Sequence, residues 1–208
     1  MVYSVKTPWW LKLLYKSCIW EIKAEKVIFL TFDDGPHPTI TPFVLDELKK
    51  YNARATFFCI GKNVLQYPDV CRRITTEGHK IGNHTHNHLN GWKTKDAVYL
   101  ENVAEAKQCI DSGLFRPPYG RITKFQLQQL SKQPFQFRTI MWSVLSGDFD
   151  KKLTPERCLA NVTKNTKSGS IVVFHDSEKA YERLVYALPR VLKYFSEQGY
   201  RFEKIAQF

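Results

Sequence analysis

A chain of 208 residues is long enough for one sizeable core and short for two, so a single domain is expected. The formal charge of +11 and pI near 9.4 suit an anionic partner, but the Lys and Arg residues are scattered, which fits a generally basic surface better than a dedicated nucleic-acid site. Cys18, Cys59, Cys71, Cys109 and Cys158 are odd in number and widely spaced, with no Cys-x-x-Cys pair; this argues against a disulfide scaffold and a cysteine zinc site.

Residues 1–25 have no clear period and read as a cover segment, with Trp9, Trp10, Leu13, Leu14 and Trp20 expected to close one end of the core. Lys6, Lys12 and Lys16 interrupt its apolar run, which is too short and too charged for a signal sequence or a transmembrane span. On that reading nothing exports the chain, and the cytoplasm is the default location.

From Val27 onward the text alternates. Val27 to Phe32 is an apolar, β-branched and aromatic run, the mark of a buried strand, and it stops at Asp33-Asp34-Gly35-Pro36. A helix opens at Thr41 and Pro42 and turns Val44, Leu45 and Leu48 inward. Ala55–Ile60 is the next strand, a helix runs from Pro68 to Gly78, and His79–Asn83 is strand-like. After Thr94, Tyr99, Val103, Ala106 and Ile110 recur at helical spacing up to Gly113. Leu114–Pro117 is a short strand, Phe125, Leu127 and Leu130 mark a helix, and Phe137–Trp142 is a strand. Thr154-Pro155 starts a helix reaching Gly169, and Ser170–Phe174 is a strand. The last helix buries Leu184, Leu188, Val191 and Phe195, with a kink expected at Pro189, before a strand over Tyr200–Ile205. Seven strands alternating with helices predict a parallel α/β fold, closed or open. No Gly-x-Gly-x-x-Gly follows the first strand, which argues against a dinucleotide site.

The chemistry-bearing residues cluster after the apolar runs. Asp33 and Asp34 leave their strand in different directions, so one can bind a metal while the other moves a proton. His84 and His88 are four apart, and on a helical turn both rings would share a face, a spacing suited to two imidazole ligands of one ion; His86 would point elsewhere. Either aspartate could complete a His-His-Asp triad. In Arg116-Pro117-Pro118-Tyr119-Gly120 the prolines stiffen the backbone, so Arg116 can orient a carboxylate by a bidentate contact and the Tyr119 N–H can meet an oxyanion. His175 ends a buried strand, and Asp148 is placed to hold its tautomer for general-acid work. Taken alone, Asp33-Asp34-Gly35 and Arg116–Gly120 read better as structural turns, His84 and His88 read about as well as a polar surface turn, and His175 about as well as a hydrogen-bonded structural histidine. Together they gather at the carboxyl ends of strands, where parallel α/β folds hold their ligands.

These residues resemble the polysaccharide deacetylases, the NodB-homology domain of carbohydrate esterase family 4, over about residues 26–206. Thr31-Phe-Asp-Asp-Gly-Pro36 matches the first motif, His84-Thr-x-x-His88 the second and Arg116–Gly120 the third. The resemblance implies a NodB-type catalytic domain over residues 26–208: a deformed (β/α) barrel with about seven parallel strands. It implies one divalent metal on Asp34, His84 and His88, zinc first, with cobalt, nickel or manganese as alternatives. Asp33 corresponds to the catalytic base, Arg116 to the residue orienting it, His175 to the general acid and Asp148 to its partner. Where relatives often have Asp-x-x-Asp-Trp, this chain has Leu145-Ser-Gly-Asp148-Phe149, and Val173 stands where Leu is usual. With Pro117 and Pro118, Phe149 and Val173 are expected at the substrate pocket.

The activity so implied is removal of N-acetyl groups from glycans containing N-acetylglucosamine, peptidoglycan or chitin-like, with release of acetate. An anionic cell-wall polymer would suit the basic charge. The alternatives are an O-acetyl esterase or small-molecule amidase using the same site, a non-catalytic glycan-binding relative and, ranked lowest, a metal-dependent nuclease or nucleic-acid binder.

Overall fold

The computed structural model of the protein describes residues 4–206. After a short helix α1 (Trp9–Leu14), the chain alternates strands and helices: β1 (Val27–Asp33), α2 (Ile40–Lys50), β2 (Thr56–Cys59), α3 (Gly61–Gln66), α4 (Pro68–Thr76), β3 (Lys80–Asn83), α5 (Asp96–Lys107) and β4 (Leu114–Phe115). The second half continues with α6 (Lys124–Leu130), β5 (Arg138–Thr139), β6 (Val144–Leu145), α7 (Pro155–Asn165), β7 (Ile171–His175), α8 (Tyr181–Glu197) and β8 (Arg201–Phe202).

Seven strands form one parallel series in the order β5-β4-β3-β2-β1-β7-β6, while β8 pairs with the start of β1. This is a single α/β domain whose sheet curls as a deformed (β/α) barrel. β1 is central and wholly buried because both faces are covered, as in parallel sheets. Ile28, Leu30 and Phe32 pack among α2 and α8 side chains such as Leu45, Leu48, Leu188 and Val191. Val27 and Phe29 point the other way, with Phe58, Leu114, Ile140 and Ile171. The two ends of the series, β5 and β6, are laced by the N-terminal segment, through bridges from Ile19 to Ile140 and from Lys6 to Val144.

Several local expectations shift. Helix α2 starts before Thr41, whose hydroxyl instead accepts from the His37 N–H and donates to Asp176. The run 137–142 shortens to Arg138–Thr139, with a separate strand β6 beyond it, because the Met141 N–H turns to the carbonyl of Ile19. Helix α3 is additional, and α7 ends at Asn165, its last turn giving way to a turn through Gly169. Helix α8 continues through Pro189. Of the aromatic and leucine residues expected to close the core, only Trp20 is buried; Trp9, Trp10, Leu13 and Leu14 lie on the surface, because α1 packs inward through Leu11 and Tyr15.

The Phe32 ring has no solvent exposure and stacks between Phe57, at 5.0 Å, and Phe174, at 6.1 Å. Phe32→Ala should therefore cost about 3–5 kcal/mol in urea unfolding, whereas Phe125→Ala, at a half-exposed position, should stay within about 0.5 kcal/mol. Equal effects would contradict this packing.

Candidate active site

Strand register builds the site. Asp33 of β1 is the register partner of His175 of β7, and Asn83 of β3 is the partner of Phe115 of β4. One residue further along, Asp34, His84 and Arg116 emerge at the same carboxyl edge of the sheet. Asp148 reaches this edge from the loop after β6.

Arg116 is fully buried. Its guanidinium donates to Asp33 Oδ1 at 2.7 Å, to Thr31 Oγ1 at 2.7 Å, and to the carbonyls of Ile140 and Met141 at 3.1 and 3.0 Å. The face of the guanidinium lies 4.1 Å from the Phe58 ring centre. The expected bidentate grip on a carboxylate is absent: one N–H meets Asp33, and the remaining donors are drawn to Thr31 and to strand-end carbonyls. Burial pulls the Arg116 pKa down, against the opposing pull of Asp33.

The histidine pair converges with Asp34, but not on a helix. Residues 84–90 form a loop, with Thr85 at φ 63° and His88 at φ 57°. Asparagines replace the missing helical hydrogen bonds. Asn83 Oδ1 accepts the Thr85 N–H, and Asn102 Oδ1 accepts the N–H groups of both His86 and Asn87. Within this loop His84 Nδ1 donates to the Arg116 carbonyl at 2.7 Å, leaving the Nε2 lone pair facing Asp34. Asp34 Oδ1 is 3.7 Å from His84 Nε2 and 3.1 Å from His88 Nε2. One ligand atom from each of the three residues lies within 4.8 Å of the other two. His86 turns away toward Glu105, at 3.3 Å.

This cluster fits a divalent metal on its own chemistry. Asp34 Oδ1 is buried and has no hydrogen-bond partner, and the donor set of one carboxylate oxygen and two imidazole nitrogens suits zinc or a similar ion. Burial pushes the His84 pKa down to about 4, so its ring is a neutral donor. Burial alone would raise Asp34, but the His88 imidazole 3.1 Å away and the charge of His175 hold it well below the usual carboxylate range.

The same edge of the sheet carries a His–Asp pair. Asp148 is fully buried; its Oδ1 accepts from His175 Nδ1 and its Oδ2 from the His175 N–H, both at 2.7 Å. Burial would depress His175, yet the charge and hydrogen bond of Asp148, aided by Asp34 and Asp33, lift it to about 10. With Nδ1 committed to Asp148, Nε2 is the free donor. The Phe149 ring meets His175 edge-on at 5.3 Å. Tyr119 sits at φ 60° with its ring 57% exposed and 4.6 Å from that of His88. Pro117, Pro118 and Val173 are buried.

Four supporting residues escaped sequence reasoning. Asn83 and Asn102 shape the histidine loop, and the Asn63 amide donates to the Asp34 carbonyl at 2.8 Å. Asp176 is fully buried; burial, against the Thr41 hydrogen bond, raises it to about 7. A side chain at Gly35 would overlap the Asp176 carboxylate, so this close approach requires glycine after the two aspartates. Only Asn83 carried a sequence cue, as the last residue of a strand preceding the histidines.

A curled parallel sheet with an Asp/His cluster and a His–Asp pair at its carboxyl edge defines an α/β protein whose ligand-binding edge carries a candidate metal site. The polysaccharide deacetylase family model matches residues 21–137. A peptidoglycan-N-acetylglucosamine deacetylase of Bacillus cereus is 38% identical over 195 residues, covering 90% of this chain and 91% of the relative. A chitooligosaccharide deacetylase of Azorhizobium caulinodans is 35% identical over 159 residues, covering 73% and 74%. The crystal structure of a peptidoglycan N-acetylglucosamine deacetylase superposes with a TM-score of 0.86 at 31% identity, covering 96% of this chain and 95% of that one. A family 4 carbohydrate esterase pseudoenzyme from Bacillus anthracis has a TM-score of 0.78 at 25% identity, over 90% and 66%. The chain belongs to the polysaccharide deacetylase family.

Because His175 is raised above the ordinary 6.5, its contribution to stability is complete below about pH 6.5 and is lost as pH rises through about 10. In the metal-free protein, NMR of the imidazole should show a titration midpoint far above 6.5, and Asp148→Asn should lower it by roughly one to three pH units. A wild-type midpoint near 6.5, or no change in the variant, would contradict the pairing.

Proposed function

We propose that the protein is a metal-dependent deacetylase that removes N-acetyl groups from N-acetylglucosamine residues of a glycan, peptidoglycan first, releasing acetate. One observation carries the reading: the Asp34–His84–His88 cluster, the Arg116-held Asp33 and the His175–Asp148 pair stand together at the carboxyl edge of the sheet. The relatives' names support the substrate class, and the basic surface suits an anionic wall polymer.

Asp34, His84 and His88 would hold the ion, zinc first, which supplies a Lewis acid and lowers the pKa of a bound water toward ~7. Arg116 engages Asp33 Oδ1, leaving Oδ2 to accept the proton of the attacking water. The Tyr119 N–H donates to the developing oxyanion from a turn stiffened by Pro117 and Pro118. His175 donates its Nε2 proton to the amine nitrogen as the C–N bond breaks; an amine leaves poorly unless protonated, so an amidase needs this acid as well as a base. Asp148 keeps that proton on the ring and the ring in place. Phe149 and Tyr119 offer surfaces to the acyl group and sugar, and Pro117, Pro118 and Val173 form the wall behind them.

An O-acetyl esterase would use the same groups, and the similarity to a family 4 domain of a multidomain xylanase (28% identity, TM-score 0.76) keeps that reading in view. An ester leaving group needs less help from an acid, so His175→Gln should spare ester hydrolysis far more than amide hydrolysis. The pseudoenzyme among the relatives makes activity itself the first measurement.

Acetate release from N-acetylglucosamine oligomers and peptidoglycan should be abolished by chelation and restored by zinc. Asp33→Asn should lose roughly 10²–10⁴-fold in turnover while keeping its metal, and His84→Ala should lose metal and turnover together. Full activity in chelator, or an active Asp33→Asn protein, would refute the proposal.

A further inference from the structure

Helix α1 divides its side chains in an unusual way. Leu11 and Tyr15, four apart, face inward against the cluster containing Trp20, Leu127 and Phe137. Trp9 and Leu13, with Trp10 and Leu14, form the opposite stripe, and all four are about half or more exposed, Trp9 reaching 73%. The helix contributes no buried residue. Its apolar face points away from the protein, the reverse of a helix that seals a core.

The apolar face does not end with the helix. A cavity of about 470 Å³ lies between α1 and α6, lined by Leu13, Leu14, Lys16 and Lys124 among others. Phe125 at 51% and Trp92 at 54% exposure extend the apolar surface. Contacts make it continuous: the Tyr15 hydroxyl donates to the Ile122 carbonyl, and so does the Trp92 indole N–H. The Arg121 guanidinium lies over the Trp92 ring at 4.1 Å.

The charge of this face is mainly positive, Asp96 being the acid that touches α6, through Thr123 and Gln126. Residues 4–20 contain Lys6, Lys12 and Lys16 and no acid; residues 121–138 contain Arg121, Lys124, Lys132 and Arg138 and no acid. Lys12 pairs with Glu21, just beyond the first stretch. An aqueous polyanion would be held by the cations, and any sugar rings it carries by the tryptophans, but neither gives a reason for two leucines to stand in water beside them. Tryptophan and leucine flanked by lysine are instead the composition of a helix lying in the headgroup region of a membrane, where the rings enter the acyl boundary and the long cationic stems reach back to phosphate. No helix among the described residues is long and apolar enough to cross a membrane, so this contact is peripheral.

We infer that α1, with the adjoining face of α6 and the Trp92 loop, is a docking surface for an anionic phospholipid bilayer. Trp9, Trp10, Lys16 and Lys124, the residues changed in the test, are none of the proposed active-site groups, so the test does not depend on catalysis.

The test is co-sedimentation with vesicles of phosphatidylcholine alone and of phosphatidylcholine with phosphatidylglycerol, at low and raised salt. The intact protein should bind the anionic vesicles, with a blue shift of tryptophan emission, and should bind the neutral ones at least about tenfold more weakly. The Trp9→Ser, Trp10→Ser double variant and the Lys16→Glu, Lys124→Glu double variant should each lose binding while melting at the wild-type temperature. Four results would overturn the inference. These are no binding to anionic vesicles, binding undiminished in the tryptophan variant, capture by soluble polyphosphate without capture by vesicles, and a concentration-dependent dimer dispersed by the tryptophan variant, which would assign the face to a second copy.

Discussion

A guanidinium without solvent exposure must find all its partners inside the protein, and those of Arg116 are the groups on which the site is built. Its side chain holds Asp33 and Thr31 at the end of β1 and the carbonyls of Ile140 and Met141 just beyond β5. Its own carbonyl fixes the tautomer of His84. A single residue thus positions the proposed base through its side chain and a proposed metal ligand through its backbone. Removing one partner of such a pair leaves a buried charge uncompensated, at a typical cost of about 3–5 kcal/mol.

The parallel sheet makes this economy of parts workable. Strands running the same way end at one edge, and register brings Asp33 level with His175 and Asn83 level with Phe115. The groups that follow those positions come from sequence distances of more than a hundred residues, yet they meet with little loop between strand and site. The two histidines at this edge then differ electrically. Burial keeps His84 neutral beside Asp34, while Asp148 keeps His175 charged. Two imidazoles at one edge of the sheet are therefore held in opposite charge states by their neighbours.

Much of this was legible in the sequence, for local reasons. An apolar run broken by Asp33-Asp34-Gly35 identifies a strand end, and the later runs ending near Arg116 and His175 repeat the pattern. The His84–His88 spacing pointed to a shared ligand cluster for the wrong reason: side chains of Asn83 and Asn102 and left-handed turns at Thr85 and His88 do the work of a helix. Such side-chain-to-backbone bonds leave no periodicity to read. Nor could composition distinguish an inward from an outward tryptophan. Trp20 is in the core and Trp9 in the open because Leu11 and Tyr15 occupy the inner face of α1. Asp176 was invisible because its position depends on Thr41 and Gly35, both far away in the chain.

In the proposed mechanism one carboxylate and two imidazoles of this chain grip a single ion beside Asp33. An anomalous difference map at the zinc edge, from crystals grown with zinc, tests it most directly. One strong peak is expected roughly 2.0–2.2 Å from a carboxylate oxygen of Asp34 and from Nε2 of both His84 and His88, with the Arg116–Asp33 contact intact. A peak centred on His86 or Asp33, or no peak among these residues at saturating zinc, would contradict it.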